Sequence, residues 1–339
     1  MDLKTLTEIN APSGHEQAIR RVLLDELKKL GFAPVLDRMG NVVVVKEGTD
    51  DAPRKRVMVS AHMDEVGLIV TSATEDGYLR IAAAGGIDPR VLVSKRVTVG
   101  EDKLPGVIGA VPIHLQSAAE RKHVLSMDEL LVDIGAKNKD EAERKAPMGT
   151  YIAFDTPYVE YGDGFACGKA FDDRVGCLSL LRLLQEELPV DLVACFVSEE
   201  EVGCRGAKGA AFQQEPDIGI VLEGTTCNDL GDVPETAHVC EAGQGVAVSF
   251  MDGASIANRA LFRKALDVAK QENIPHQVKH SVSGGNDGGA IQRAREGVPV
   301  VVLSVPCRYI HSPSSVVKLS DVESQFALVK ALVKALYAR

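Results

Sequence analysis

Two kinds of hydrophobic pattern divide the chain into three segments. In the first and last segments, short apolar runs of strand length alternate with longer stretches whose apolar residues recur at helical spacing. The strand-like runs are rich in valine and lack polar alternation, as is typical of strands buried on both faces; they are NVVVVK, RVMVSAHMD, DLVACFVS, DIGIVLEG and VPVVVLSV. This alternation predicts an α/β fold with three α/β/α layers around a mainly parallel central sheet.

The middle segment has a different texture. Its short runs of valine, isoleucine and leucine are interrupted by the turn signals DG, GG, DP, LPG and GDG, which predict tight turns between strands. Within it, only SMDELLVDIGAKNKDEAERK has a helical pattern. We therefore expect a small, barrel-like β domain at residues 71–163, inserted between the two parts of a catalytic domain at residues 1–70 and 164–339.

Helices are predicted on both sides of this insert. Ser13 and Glu16 form an S-x-x-E pattern that predicts a capping box, followed by apolar residues at helical spacing through Leu30. After the insert, DDRVGCLSLLRLLQEEL predicts a long helix. Further helices are expected at four later places: before Pro216, near residues 256–272, at residues 287–295, and from Asp321 onward.

Composition and charge exclude several kinds of partner. The 339-residue chain has a net charge of −10 and no tryptophan, which argues against nucleic acid or an anionic membrane as a partner. Its seven cysteines are scattered and form no C-x-x-C pair, which fits a reducing cytoplasm. The start MDLKTLTEIN lacks the pattern of a secretory signal, and the longest apolar stretch is too short to span a bilayer. We expect a cytoplasmic protein.

Acids and histidines stand where the predicted strands end, which is where parallel α/β sheets bind their ligands. Taken singly, each has an ordinary explanation, since aspartate often caps a helix and a lone histidine is usually structural. Together they form a pattern that is hard to explain by chance; its members are His62, Asp64, Asp172, Asp173, Glu199, Glu200, Glu223 and His311.

Such a cluster predicts a metal centre. Carboxylates gathered in an apolar sheet carry a large desolvation penalty, which two divalent cations would remove. Histidine and carboxylate ligands without cysteine suit Zn²⁺ or Co²⁺ in a hydrolytic site. Two such ions, about 3.5–4 Å apart, share and acidify a water and polarise a substrate carbonyl. Adjacent glutamates would supply one ligand and one general base, and Asp64 would orient the His62 ring.

The motifs around these residues resemble those of a known family. SAHMDEVG, GKAFDDRVG, VSEEEVG, VLEGTT and RYIHSPSS, in this order, are similar to those of the tetrahedral (TET) aminopeptidases, family 42 of the metallopeptidases. GGIDPRVLVSKRV and SGGNDGGAI extend the similarity over nearly the whole chain. Family members are described as glutamyl or deblocking aminopeptidases and sometimes as endoglucanases, and they form dodecamers through the inserted β domain.

The resemblance implies a role for each matching position. Glu199 would be the catalytic base, and Asp64 would be an auxiliary acid behind the first histidine. Asp172 would bridge the two ions, and the remaining ligands would be His62, Glu200, Glu223 and His311. Glu201 receives no role. The substrates would be short peptides that lose their N-terminal residue, and the assembly would be a homo-oligomer of twelve chains.

The sequence departs from the family pattern at two places, one at a metal ligand and one at the expected substrate side of the site. Glu223 stands where aspartate is common, which leaves open whether it binds its metal through one oxygen or two. GGNDGG stands where GGTDAG is common, and we expect it at the substrate side of the site, with Asn286, Asp287 and Gly288 as candidate substrate-binding residues.

Several other functions are weighed against this one. An N-acyl amino acid hydrolase or a carboxypeptidase would use the same metal site with a different substrate anchor. An endoglucanase is disfavoured because both histidines would be unexplained and aromatic residues make up only 4% of the chain. An inactive scaffold is disfavoured because every expected ligand position is filled.

Overall fold

The computed structural model describes residues 1–51 and 53–337, which form the following strands and helices. The strands, in chain order, are β1 (Val35–Leu36), β2 (Val42–Lys46), β3 (Arg56–His62), β4 (Gly67–Ala73), β5 (Leu79–Ala84), β6 (Arg96–Val99), β7 (Leu104–Gly109), β8 (Leu131–Asp133), β9 (Tyr151–Phe154), β10 (Val159–Tyr161), β11 (Phe165–Gly168), β12 (Asp191–Val197), β13 (Ile218–Thr226), β14 (Val246–Ser249), β15 (His276–Val278), β16 (Val300–Arg308) and β17 (Ser315–Lys318). The α-helices are α1 (Leu3–Thr7), α2 (Gln17–Lys29), α3 (Lys139–Lys145), α4 (Phe171–Leu183), α5 (Arg205–Gln214), α6 (Arg259–Gln271), α7 (Asp287–Gln292) and α8 (Leu319–Ala335).

The larger sheet has its parallel strands at the centre. Its order is β1-β2-β12-β3-β13-β16-β17-β11-β10, and β14 and β15 lie beside β16. The neighbours β12, β3, β13 and β16 are parallel, whereas the other pairs along this order are antiparallel. The carboxyl ends of the four parallel strands therefore meet at one edge of the sheet.

Apolar side chains on both faces of this sheet pack against helices. Leu192 and Phe196 of β12 belong to a core that also contains residues of α2, α4, α6 and α8. Val193 and Val197 belong to a second core formed with α5 and α7. Because side chains alternate between the two faces of a strand, this division requires apolar residues at successive positions. The prediction of a three-layer α/β/α fold with a mainly parallel sheet is confirmed.

The insert contains a closed barrel. Its strands follow the order β4-β5-β8-β7-β6-β9, and β9 pairs back with β4. Leu68, Ile108, Val132 and Ile152 are among the apolar residues that fill it. Closure leaves no unpaired strand edge, which allows so small a sheet to be stable. The barrel-like insert is confirmed, while the domain boundaries at residues 70 and 163 stay predictions.

Two local predictions were wrong. Ser13 forms no capping box, because its Oγ donates to Asp64 Oδ2 at 2.6 Å, and α2 begins only at Gln17. The helix predicted in the insert is mostly absent: Leu131–Asp133 is strand β8, and only Lys139–Lys145 is α-helical. There the pairing that closes the barrel outweighs the helical propensity of the segment. No helix among the described residues has the length and apolar character needed to cross a bilayer.

Candidate active site

Strand register brings the first two predicted ligands together. His62 is the last residue of β3, and Glu223 lies in the parallel neighbour β13. Val221 pairs with Ser60, so His62 and Glu223, each two residues further along, lie side by side. His62 Nε2 is 3.6 Å from Glu223 Oε2. Both side chains are almost completely buried.

Asp172, in the first turn of α4, lies between the two predicted histidines. Its Oδ1 is 3.4 Å from His62 Nε2, and its Oδ2 is 3.5 Å from His311 Nε2. His311 comes from the loop between β16 and β17, and its Nε2 is also 3.2 Å from Glu201 Oε2. One carboxylate thus joins two groups of donors. We call His62 and Glu223 the deep half of the site, and His311 and Glu201 the shallow half.

The donor spacing fits bound cations. Two ligands at Zn–N and Zn–O bond lengths, in tetrahedral geometry, are separated by about 3.3 Å, close to the distances found in both halves. Buried Glu223 Oε1 has no hydrogen-bond partner among the described residues, as expected of an oxygen that binds a metal ion. The residues present therefore fit divalent metal ions.

The three adjacent glutamates point to three different places. Glu199 has a left-handed backbone (φ 55°). Its Oε2 forms an ion pair with Arg205 Nη1 at 3.2 Å, outside the deep and shallow halves of the site. Glu200 accepts a contact from Cys204 Sγ at 3.4 Å and lines the cavity beside Asp172. Glu201 lies against His311. Of the three glutamates, Glu201 is thus the one that contacts a predicted histidine ligand, while the base role of Glu199 and the ligand role of Glu200 stay predictions.

Asp64 holds this part of the site together. Its carboxylate accepts the backbone N–H groups of Glu200 and Glu201 at 3.0 and 3.2 Å. It also accepts the Ser13 hydroxyl, and its Oδ1 lies 3.4 Å from His62 Nδ1. Asp64 is fully buried. Its backbone carbonyl is 3.1 Å from His62 Nδ1, so Asp64 lies behind the His62 ring, and its carboxylate also fixes the glutamate loop; its role as an auxiliary acid stays a prediction.

Two glycines allow the surrounding backbone to come close. A Cβ on Gly224 would lie 3.0 Å from the Asp172 side chain, and the Gly224 N–H donates to Asp172 Oδ1 at 3.0 Å. A Cβ on Gly86 would lie 3.5 Å from His311 Nδ1. Gly86 follows β5, so the barrel contributes one wall of the shallow half.

A cavity of about 380 Å³ opens beside the cluster. Its lining includes Asp172, Glu200 and Glu223, together with Lys279 and the loop 283–286. A larger cavity of about 770 Å³ lies between α6 and α8 and contains none of the predicted site residues. The smaller cavity is therefore the one that faces the candidate chemistry.

Comparisons with known proteins agree with this site. A family model described as M42 glutamyl aminopeptidase matches residues 40–328. The chain belongs to the M42 peptidase family. The glutamyl aminopeptidase of Lactococcus lactis subsp. cremoris is 33% identical over 98% of this chain and 95% of its own. The lysyl aminopeptidase of Pyrococcus furiosus is 33% identical over 98% and 96%, respectively.

A solved structure shows the same fold. The TET1 peptidase of Pyrococcus horikoshii, described as able to assemble into a tetrahedron or a large octahedral shell, is 32% identical to this M42 peptidase. Each chain is covered over 98% of its length, with a TM-score of 0.86. The predicted family and the prediction of a metalloaminopeptidase are therefore confirmed.

The buried carboxylates of this M42 peptidase have pKa values shifted from their ordinary ones. Burial raises the pKa of Glu223 well above its ordinary value, with His62 opposing the shift. Burial also raises the pKa of Glu201 to about 8, with His311 opposing. Burial raises the pKa of Asp172, but hydrogen bonds with His311 and His62 outweigh it and hold the pKa below the usual range. Without metal, protons must supply part of the charge that cations supply when bound.

The candidate substrate residues have different surroundings. Asn286 lines the cavity, but its amide is used in hydrogen bonds with Asp252 and with the Gly288 N–H. Asp287 is fully buried behind Glu200, and neither of its oxygens has a hydrogen-bond partner among the described residues. Burial and the charge of Glu200 raise its pKa well above the ordinary value. Gly288 is a buried residue of α7.

Sequence reasoning missed two residues of this region. Glu201 was given no role, and nothing in composition or spacing distinguishes it from its two neighbours. Asp173 was counted in the cluster but given no role of its own; its Oδ2 accepts the His62 backbone N–H at 3.1 Å and its Oδ1 accepts that of Gly176 at 3.0 Å. It therefore ties the end of β3 to the start of α4.

Proposed function

We propose that this M42 peptidase is an aminopeptidase that holds two divalent cations and removes N-terminal residues from short peptides. The observation that carries the proposal is the position of Asp172. Its two oxygens face two different histidines, at 3.4 and 3.5 Å, and each histidine has a second carboxylate beside it. An isolated metal ion would need only one such group of donors.

In this proposal each half of the site holds one cation. His62 and Glu223 would hold the first, His311 and Glu201 would hold the second, and Asp172 would be shared by both. The ligand role passes from Glu200 to Glu201 because Glu201 is the glutamate that lies against His311. Zn²⁺ and Co²⁺ fit the nitrogen and oxygen donors of this set.

Glu200 is the proposed general base. It lines the cavity, and burial, the largest influence, raises its pKa above the ordinary value against the opposing charge of His62. A raised pKa moves a carboxylate toward the neutral range in which a general base works best. Divalent cations bound here would supply Lewis-acid polarisation of the substrate carbonyl and acidification of a water. Glu200 would accept the proton of that water and deliver it to the departing amine.

Asp64 is proposed as a positioning residue. It touches the His62 ring on one side and the backbone of the proposed base on the other. A carboxylate behind a ligating histidine fixes the orientation of the imidazole and strengthens it as a ligand. Its hydrogen bonds to the loop keep Glu200 and Glu201 directed at different targets.

A homo-oligomer is the proposed assembly state. The support is the shell formed by the P. horikoshii relative, together with apolar residues exposed on and beside the barrel, namely Val107, Val111, Ile113 and Leu115. A dodecamer remains the prediction for this chain, as does a cytoplasmic location.

Metal removal tests the proposal. A chelator should abolish release of the first residue from an unblocked peptide, and Zn²⁺ or Co²⁺ should restore it with two ions bound per chain. An N-acetylated copy of the peptide should remain intact. Cleavage that survives chelation would contradict the proposal. Cleavage of the acetylated peptide would favour an acyl hydrolase, and release of the last residue would favour a carboxypeptidase.

A further inference from the structure

A third group of donor side chains lies beside Glu200 and is distinct from the deep and shallow halves. Cys204 stands directly before α5, and Asp287 is the first residue of α7; the two helices pack in the same core against one face of the central sheet. Cys204 Sγ is 3.4 Å from Glu200 Oε1. One donor atom from each of these three residues lies within 4.8 Å of the other two. The three donors are therefore close enough for a single ion to join them.

Asp287 is the member of this group whose burial needs an explanation. Its side chain is fully buried, and neither carboxylate oxygen has a hydrogen-bond partner among the described residues. The neighbouring Cys204 thiol donates to Glu200. Within residues 1–51 and 53–337, neither Asp287 nor Glu200 forms an ion pair with a lysine, arginine or histidine. A buried carboxylate without a partner carries a large desolvation cost, which a bound cation removes.

The donor set suits a cation that binds sulfur. In tetrahedral geometry, Zn–S and Zn–O bonds of about 2.3 and 2.0 Å separate the two ligand atoms by about 3.5 Å. The 3.4 Å between Cys204 Sγ and Glu200 Oε1 is close to this value. A thiolate favours Zn²⁺ over the hard ions Mg²⁺ and Ca²⁺. Both residues are only half-buried and Glu200 lines the active-site cavity, which gives an ion a path to the site.

We propose that Glu200, Cys204 and Asp287 form a third, inhibitory site for Zn²⁺ or another thiophilic divalent cation. On binding, the Cys204 thiol releases its proton to solvent. Its sulfur and one oxygen of each carboxylate then donate lone pairs to the ion, whose oxidation state does not change. An ion held there occupies the Glu200 carboxylate, which can no longer accept a proton from water. The inhibition rests on the base role proposed above for Glu200, whereas the binding does not.

This site should fill after the two halves of the metal centre. It contains no histidine, its thiol must lose a proton, and two cations bound nearby repel a third. Dialysis against metal-free buffer should therefore leave two ions per chain, and this form is the reference state for measurements of activity and metal content. Excess Zn²⁺ supplies the third ion.

Titration of the full-length, metal-free protein with Co²⁺ tests the site without an activity assay. The deep and shallow halves contain no sulfur donor, so the first two equivalents should give no thiolate-to-cobalt absorption band in the near ultraviolet. Further Co²⁺ should produce this band and bring the content to three ions per chain. Cys204→Ser should bind two ions and lack the band. Cys167→Ser, which replaces another half-buried cysteine, in β11, should bind three ions and keep it.

Excess Zn²⁺ tests the consequence for turnover. Added to protein that holds two ions per chain, it should inhibit release of the first residue from a peptide, whereas excess Mg²⁺ should not. In Cys204→Ser and in Asp287→Asn, the Zn²⁺ concentration that halves the variant's own activity should rise about 10-fold or more. Even residues behind the ligands of a metal contribute about 10- to 100-fold to its affinity, so the loss of a ligand should have at least this effect.

The outcomes separate this site from the function proposed above. Binding of only two ions, without the absorption band, refutes the site while the aminopeptidase stands. A third ion whose band persists in Cys204→Ser refutes it as well, because that ion lies elsewhere. If the band appears and excess Zn²⁺ does not inhibit, the inhibitory role is refuted. If protein with two ions per chain cleaves no peptide, the proposed function fails and the inhibition with it, while the band still decides whether the site exists.

Discussion

The deep and shallow halves of the candidate metal centre share Asp172 but are built in different ways. In the deep half, the His62 side chain is 1% exposed and Glu223 is 6% exposed. In the shallow half, the His311 side chain is 39% exposed, whereas Glu201 beside it is only 3% exposed. His62 and Glu223 belong to adjacent parallel strands, whereas Glu201 and His311 belong to loops that follow strands.

The side chains of the deep half are therefore positioned by the central sheet, and those of the shallow half by loops. The register of β3 and β13 sets the deep half, and Asp64 and Asp173 anchor it through buried hydrogen bonds. The shallow half depends on a left-handed backbone at His311 (φ 56°). Non-glycine residues in this region cost energy and tend to occur at functional sites. The deep half should therefore matter for folding and the shallow half mainly for turnover.

Replacing each histidine in turn should give the largest measurable difference between the two halves. His62→Ala leaves buried Asp172 and Glu223 without their partner, so the metal-free protein should lose about 3–5 kcal/mol of unfolding free energy. His311→Ala removes a side chain that is partly exposed, and Asp172 keeps its contact with His62, so this variant should lose less stability than His62→Ala and retain one ion per chain. Urea unfolding with chelator, and metal analysis without it, check both. Equal losses of stability would show that the halves are equivalent.

Replacing the proposed base affects chemistry without removing a ligand. Glu200→Gln keeps the size of the side chain but cannot accept the water proton, so kcat should fall by about 10²- to 10⁴-fold. Metal content should stay at the wild-type level, because Glu200 is not a ligand in this assignment. If the variant loses an ion along with its activity, Glu200 is a ligand after all.

The pH dependence of the metal-free protein tests the shallow half specifically. Burial raises the pKa of Glu201 to about 8. Burial lowers the pKa of His311, but the hydrogen bond with Asp172 and the charge of Glu201 raise it to about 9. Both values exceed those of the unfolded chain, so the stability from these protons is present at low pH. It is lost progressively as the pH rises above the ordinary values of 4.5 for Glu201 and 6.5 for His311, and it is gone once the pH has passed about 8 and about 9, respectively.

Unfolding in urea with chelator at pH 6 and pH 9 measures this loss, and the midpoint should be lower at pH 9. The metal-loaded protein should show a smaller difference, because cations replace the protons. Glu201→Gln is the matched control and should flatten the dependence in the metal-free protein. A wild-type midpoint that is equal at both pH values would contradict the assignment.

Much of the fold and of the deep half could be predicted because buried parallel strands have continuous apolar runs. His62 and Glu223 stand at the ends of such runs, so strand periodicity alone places them at one sheet edge. The helix predicted over β8 was wrong because barrel closure is a long-range effect that local propensity does not contain.

The sequence could not predict which of the three glutamates faces His311, because the local backbone conformation decides it. Side chains alternate along β12 only as far as Val197, where the strand ends. The left-handed backbone of Glu199 then reverses the chain, so the alternation cannot be continued to the residues that follow. That conformation, together with the hydrogen bonds that the next two backbone N–H groups donate to the Asp64 carboxylate, decides which carboxylate faces His311.

Glu199→Gln is therefore the change with the smallest expected effect. The Glu199 and Arg205 side chains are 23% and 59% exposed and 3.2 Å apart, and exposed ion pairs of this kind contribute about 0–1 kcal/mol. We expect kcat/KM within about twofold of wild type, and unchanged metal content and unfolding midpoint, since the pair lies outside both halves of the site. Glu199→Gln and Glu200→Gln each remove one negative charge, so assaying the two variants together separates the role of one carboxylate from that of its neighbour. A large loss of kcat in Glu199→Gln, with Glu200→Gln active, would return the base to Glu199 and require the loop to rearrange when cations bind.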